Sequence, residues 1–152
     1  MKNILITGGS RGIGKEIVKI CHKNNFKVHF TYSNNLVSAK KLLDELSSEN
    51  ISFSQCNLNN YDDIKKLFVN IKERFDFLDG LVNNAGISGG IVSIKDFSKK
   101  IIDEVFEINV KGLIHCCKES IPMMSINNGA RGGSIVNISS MASTIGGRAG
   151  RT

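Results

Sequence analysis

Thr7-Gly8-Gly9-Ser10-Arg11-Gly12-Ile13-Gly14 is the stretch that decides how this chain folds. An apolar run, Ile4-Leu5-Ile6, precedes it, and Lys15-Glu16-Ile17-Val18-Lys19-Ile20-Cys21 follows with apolar residues at helical spacing. A strand, a glycine turn and a helix N-terminus together make an anion site. The first helical turn leaves its N–H groups unpaired, and the helix dipole favours negative charge in front of them. Glycines at 8, 12 and 14 permit a tight turn, close backbone approach to a pyrophosphate, and close packing of helix on strand. The spacing is Gly-x-x-x-Gly-x-Gly rather than Gly-x-Gly-x-x-Gly. Taken alone, such a turn is also how a strand can simply pass into a helix. Its flanking strand and amphipathic helix favour the nucleotide reading.

Outward from this turn, strands and helices alternate. Lys27–Tyr32 reads as a second strand, and Leu36, Ala39, Leu42, Leu43 and Leu46 mark one face of a second helix. Ile51–Ser54 alternates as a third strand, ending near Cys56-Asn57-Leu58. Ile64, Leu67, Phe68 and Ile71 give the next helix, and Leu81-Val82 lies in a fourth strand. A glycine-containing connection over residues 87–94 precedes one long helix from about Ser98 to Met124. Ile102, Val105, Phe106, Val110, Leu113 and Ile114 are expected on its buried side. The polar loop Asn127–Gly133 leads to a fifth strand, Ser134–Ile138. Strands alternating with helices imply parallel pairing and right-handed crossovers. The expected architecture is therefore α/β, a Rossmann-like doubly wound sheet ordered 3-2-1-4-5 in a single domain over residues 1–152. Its ligand crevice should lie at the carboxyl ends, near the switch between strands 1 and 4.

Composition narrows the function. With 152 residues, 41% hydrophobic and 22% charged, the chain has the length and make-up of one soluble globular domain. The formal charge of +6 invites a nucleic-acid reading, but the lysines (Lys15, Lys19, Lys40, Lys41, Lys65, Lys66, Lys99, Lys100) are scattered along helices with no dense basic run. A solvated lysine-rich surface explains this better than a nucleic-acid site, and it is compatible with attraction of a phosphorylated cofactor. Cys21, Cys56, Cys116 and Cys117 form no Cys-x-x-Cys pair and have no His at zinc-ligand spacing, so no metal site is expected. The first strand begins almost at once after Met1, too short an apolar run for a signal peptide or membrane span. A cytoplasmic protein without a membrane partner is the expectation.

Four motifs taken together resemble the short-chain dehydrogenase/reductase family in its compact form. They are Thr7-Gly8-x-x-x-Gly12-x-Gly14, Asn83-Asn84-Ala85-Gly86, Asn109 within Ile108-Asn109-Val110-Lys111-Gly112, and Ile135-Val136-Asn137-Ile138-Ser139-Ser140. Capping asparagines, a turn at Ala85-Gly86 and serines ending a strand explain each motif singly, but not their joint order and spacing. The resemblance implies an oxidoreductase that moves a hydride between a nicotinamide cofactor and a small carbonyl or alcohol. It places Ser140 and Asn109 in catalysis, with Asn109 shaping its helix and holding a water in a proton relay. Thr7, Gly8, Ser10, Arg11, Gly12, Ile13, Gly14, Ser33, Asn34, Asn57, Leu58, Asn83, Asn84, Ala85 and Gly86 are the expected cofactor contacts. The residue types fit these roles. A serine hydroxyl at a strand end can donate to a carbonyl oxygen that becomes negative during reduction, and amides ending strand 4 can fix backbone and ribose.

Cofactor choice follows from the second strand. A carboxylate at its end would accept from the ribose 2′-hydroxyl of NAD, but the sequence there is Thr31-Tyr32-Ser33-Asn34. Arg11 can instead meet a 2′-phosphate through its guanidinium fork, so NADP(H) is favoured over NAD(H). Asn57 stands where the family usually has Asp near the adenine, and its amide oxygen keeps an acceptor there.

By the resemblance, the family's acid/base pair, Tyr-x-x-x-Lys, is expected at a position just beyond Thr152. Tyr61-Asp62-Asp63-Ile64-Lys65 has the same spacing but begins the helix after strand 3, remote from Ser140. The chain is accordingly expected to be a C-terminally truncated portion of such an enzyme, with strand 5 an uncovered apolar edge. Little or no hydride transfer is expected of it alone, and homo-oligomerisation is expected of a complete protein. The alternative is an inactive nucleotide-binding remnant.

Overall fold

The computed structural model describes residues 1–90 and 93–145. Part of the 87–94 connection and everything after 145 therefore lie outside the described residues. Five parallel strands form one sheet in the order β3-β2-β1-β4-β5: β1 (Asn3–Ile6), β2 (Lys27–Tyr32), β3 (Ile51–Gln55), β4 (Gly80–Asn83) and β5 (Ser134–Asn137). The order is the expected one, and the chain reverses its direction of growth between β1 and β4.

Alternate side chains of β1 serve opposite faces of the sheet. Ile4 and Ile6 join Val28, Phe30 and Ile51 in a core under α1 (Gly12–Lys23) and α2 (Leu36–Leu46). Leu5 joins Leu81 and a second core under α3 (Tyr61–Arg74) and α5 (Leu113–Met124), built on Ile64, Leu67, Ile71 and Cys116. Side-chain oxygens start the helices: Asn35 caps α2 by accepting from Ser38 N–H, and Asn60 caps α3 by accepting from Asp62 N–H. Among the described residues β5 borders β4 alone, and all four residues of β5 are exposed.

The long helix departs from expectation in two ways. Ser98 caps α4 (Lys99–Phe106), but Glu107–Gly112 then winds as a π turn before α5 resumes. The face also differs, because Ile102, Phe106, Val110 and Ile114 are exposed, by 43% to 57% of their surface. Only Val105 and Leu113 of the expected set are partly covered. The inward face is carried instead by Gly112, Cys116, Ser120, Met123 and Met124. Small and flexible side chains let α5 lie close to the sheet, while the bulky aliphatic row points outward. Among the described residues, no helix is long and apolar enough to cross a membrane, and no cluster of metal-ligating side chains occurs.

Candidate cofactor site

The glycine turn is built by sterics that can be read residue by residue. Gly8 and Gly12 adopt φ of +65° and +55°, the left-handed region that favours glycine. A Cβ on Gly14 would stand 2.3 Å from the Gly8 carbonyl oxygen and 2.4 Å from Asn84 Nδ2. The turn is then pinned to β2, Gly8 N–H donating to Thr31 Oγ1 at 3.1 Å and Gly9 N–H to the Thr31 carbonyl at 2.8 Å. Arg11 occupies the position before α1, and its side chain makes no capping bond. The first amides of α1 consequently face outward with no side chain answering them, which is the condition for anion binding.

The second wall comes from the end of β4. Thr7 is fully buried, and its Oγ1 accepts from the N–H groups of Asn84 and Ala85, each at 3.1 Å. Asn84 Nδ2 returns two bonds, to the carbonyls of Thr7 and Gly8, both at 3.0 Å. Thr7 and Asn84 thereby tie the glycine turn to the strand across the switch point. Asn83 is buried behind this wall, its Nδ2 donating to Asn137 Oδ1 at 2.9 Å and to Cys117 Sγ at 3.3 Å.

Between these walls lies a cleft of about 650 Å³, large enough for a dinucleotide. Of the residues expected from the sequence, Gly8, Ser10, Arg11, Gly12, Ile13, Gly14, Ser33, Asn34, Asn57, Leu58, Asn84, Ala85 and Gly86 line it. Thr7 and Asn83 hold its walls from behind. The end at β2 offers hydrogen-bond donors and no carboxylate. Asn35 Oδ1 is used in capping α2, and Asn34 Oδ1 accepts from Ser33 Oγ at 3.2 Å, so the Asn34 amide presents its N–H groups. At the β3 end, Asn57 Oδ1 accepts from the Asn59 N–H at 3.4 Å, and the Asn57 N–H donates to Asp63 Oδ2 at 3.4 Å.

Asn109 is not left unsatisfied inside its helix. Its Oδ1 accepts from Ile87 N–H at 2.9 Å and its Nδ2 donates to the Ile87 carbonyl at 2.7 Å. Ser140 lies beyond β5, outside the lining of the cleft. Its Oγ accepts from Ala142 N–H at 3.1 Å at the start of the short helix α6 (Ala142–Ile145), which leaves the hydroxyl proton for an external acceptor. Tyr61 and Lys65 line no part of the cleft. The Tyr61 hydroxyl donates to Glu119 at 2.6 Å and accepts from Lys118 at 2.9 Å, and Lys65 pairs with Asp62 at 2.7 Å.

Sequence reasoning missed Thr31, Tyr32, Asn35, Cys56, Asn59, Ile87, Glu104 and Ile108 in the lining. Most sit within one or two residues of expected contacts, so a wider margin at each strand end would have found them. Glu104 carries no such signal, because a charged helical residue reads as solvated by default. Cys56 is a poor nucleophile, since burial and then the charge of Asp63 push its thiol up to about 12.

A parallel sheet with this switch point, a glycine-cradled helix N-terminus and a long cleft across both halves define a dinucleotide-binding fold of the Rossmann type. The short chain dehydrogenase family model matches residues 2–151, and the chain belongs to that family. It is 38% identical over 149 residues to (+)-borneol dehydrogenase 2 of Salvia officinalis, covering 94% of this chain and 50% of the relative. It is 32% identical over 144 residues to the uncharacterized oxidoreductase YgfF of Escherichia coli K12, covering 93% and 58%. Among solved structures, a short chain dehydrogenase from Burkholderia cenocepacia in complex with NADP superposes with TM-score 0.85 at 28% identity, covering 95% of this chain and 58% of that one. The chain thus spans between half and three-fifths of the length of these relatives.

Proposed function

We propose that the chain is the cofactor-binding portion, one domain over residues 1–152, of an oxidoreductase interconverting a small carbonyl and an alcohol, with NADP(H) preferred to NAD(H). The observation that carries this reading is the uncapped N-terminus of α1, opening through Gly12–Gly14 into a cleft that Arg11 lines and whose β2 end, at Ser33 and Asn34, carries no carboxylate. The first amides of α1 hold the pyrophosphate. Arg11 and the Asn34 amide meet the 2′-phosphate, and Asn57 and Leu58 flank the adenine. Gly86 and Ile87 border the nicotinamide half. A nicotinamide cofactor supplies the hydride when bound. Ser140, with its oxygen already accepting from Ala142, keeps its hydroxyl hydrogen and donates a hydrogen bond to the substrate oxygen as negative charge develops there. The NADP-bound relative supports this preference, as does the absence of a ribose-binding acid on β2.

The complete protein is expected to be a homo-oligomer, and the row Ile102, Phe106, Val110 and Ile114, exposed at i, i+4 spacing, is the face we assign to contact with a second copy. Calorimetric titration of NADPH and NADH into the purified chain tests the cofactor reading. NADPH should bind about tenfold or more tightly, and Arg11→Ala should bring the two within about threefold. Equal affinities, unchanged by Arg11→Ala, would remove the basis for NADP. If neither cofactor binds, the assignment of the cleft is wrong.

A further inference from the structure

The π turn Glu107–Gly112 touches both walls of the cleft. At one end Asn109 grips the Ile87 peptide by its N–H and its carbonyl, at 2.9 and 2.7 Å, and Ile87 continues the wall formed by Asn84, Ala85 and Gly86. Three residues on, Gly112 is buried against the opposite wall. A Cβ on Gly112 would stand 2.7 Å from the Leu58 carbonyl oxygen, 2.8 Å from Leu58 Cβ and 3.3 Å from the Glu107 carbonyl. Ile108, one residue before Asn109, lines the cleft itself.

We propose that this π turn is the spacer that sets the width of the cleft. Asn109 is the positioning residue for the Asn84–Ile87 wall, and Gly112 is the positioning residue for the Asn57–Leu58 wall. The proposal rests on the cofactor reading above, in which the Leu58 wall takes the adenine half and the Ile87 wall the nicotinamide half.

Geometry explains why a π turn serves here. Ile108 packs against the core that contains Leu58 and Gly112 meets Leu58 itself, so both turn toward the Leu58 side. The extra residue that a π turn places in each turn swings Asn109 round to Ile87 without unwinding the helix. The contact at Gly112 is with backbone as well as with a side chain. A flexible side-chain end could move aside, but the Leu58 carbonyl can shift only if its peptide moves. One methyl group at 112 must therefore displace the adenine wall or open the turn.

The test uses two ligands that occupy different lengths of the cleft. Adenosine 2′,5′-bisphosphate reaches only the adenine end, whereas NADPH spans both. Both are titrated into the chain and into Gly112→Ala and Asn109→Ala, with circular dichroism to verify folding. Gly112→Ala should weaken both ligands by the same factor, about tenfold or more, because both use the Leu58 wall. Asn109→Ala should weaken NADPH comparably yet leave the bisphosphate within about twofold of the parent. A general loss of stability would not separate the ligands in this way. Unaltered bisphosphate affinity in folded Gly112→Ala overturns the proposal, as does equal weakening of both ligands by Asn109→Ala.

Amide hydrogen exchange gives a readout independent of any ligand. Exchange should quicken over residues 56–60 in Gly112→Ala and over 84–88 in Asn109→Ala, with β2 unchanged in each. If the parent binds neither ligand, the cofactor reading fails while exchange still decides the spacer. Should Gly112→Ala not fold, Asn109→Ala, which adds no atoms, carries the test. Exchange at 84–88 equal to the parent in that variant overturns the proposal.

Discussion

His29 shows how one side chain can make the fold sensitive to acid. It sits on β2, buried, with Nδ1 bonded to Ser52 Oγ at 2.8 Å and Nε2 to Ser54 Oγ at 2.9 Å. Two hydroxyls satisfy a neutral imidazole, but neither offers the negative charge that would hold an imidazolium. Burial, and secondarily the Arg74 guanidinium, lower its pKa from the ordinary 6.5 to about 4. Between those two values the unfolded chain binds the proton and the folded chain does not. The stabilisation is therefore complete above pH 6.5 and is lost progressively as pH falls toward 4. At pH 5 the loss should be about 2 kcal/mol, read as a lower denaturant midpoint than at pH 7. His29→Gln, which does not titrate, should lack that slope. A parent chain equally stable at both pH values would show that His29 is not held neutral.

At the scale of elements, hydrophobic spacing located helices and strands well but assigned one face wrongly. β2 begins and ends at the residues expected and α2 spans the residues expected on its face, because β-branched and aromatic residues crowd the one and leucines repeat along the other. The long helix was expected to bury Ile102, Phe106, Val110 and Ile114, since a row of large aliphatics ordinarily faces a core. Two physical facts invisible in the spacing overrule this. The π turn shifts the helical phase at Glu107–Gly112, and the close packing of α5 selects Gly112, Cys116 and Ser120 for the inner face. The glycine turn and most of the cleft lining were legible because glycine spacing reports backbone sterics directly. The grip of Asn109 on Ile87 was not, since it depends on which way a mid-helix amide turns. The outward row also makes a prediction. Sedimentation velocity of the complete protein carrying Phe106→Ser/Ile114→Ser should show a smaller species than its unsubstituted parent at the same concentration. Identical sedimentation of the two would assign the contact face elsewhere.

Across the whole molecule, β1 is the shared member of two cores, sending Leu5 to one face and Ile4 and Ile6 to the other. The glycine turn at its end is likewise shared, because Thr7 and Asn84 bind each other's backbones across 77 residues of chain. A loop of eight neighbouring residues in sequence is thus completed only by a distant strand. This has a consequence in time. During refolding, β1, α1 and β2 can pair early through nearby contacts, whereas the turn acquires its final shape only after β4 has docked beside β1. The ability to hold a ligand should accordingly arrive last. In stopped-flow refolding with NADPH present, helical circular dichroism should recover first, and the enhancement of nicotinamide fluorescence should follow with the slowest phase. Simultaneous recovery of the two signals would mean that the turn forms without its partner strand. Ligand capture is in that sense a clock for this chain, striking when the two halves of its sheet have met.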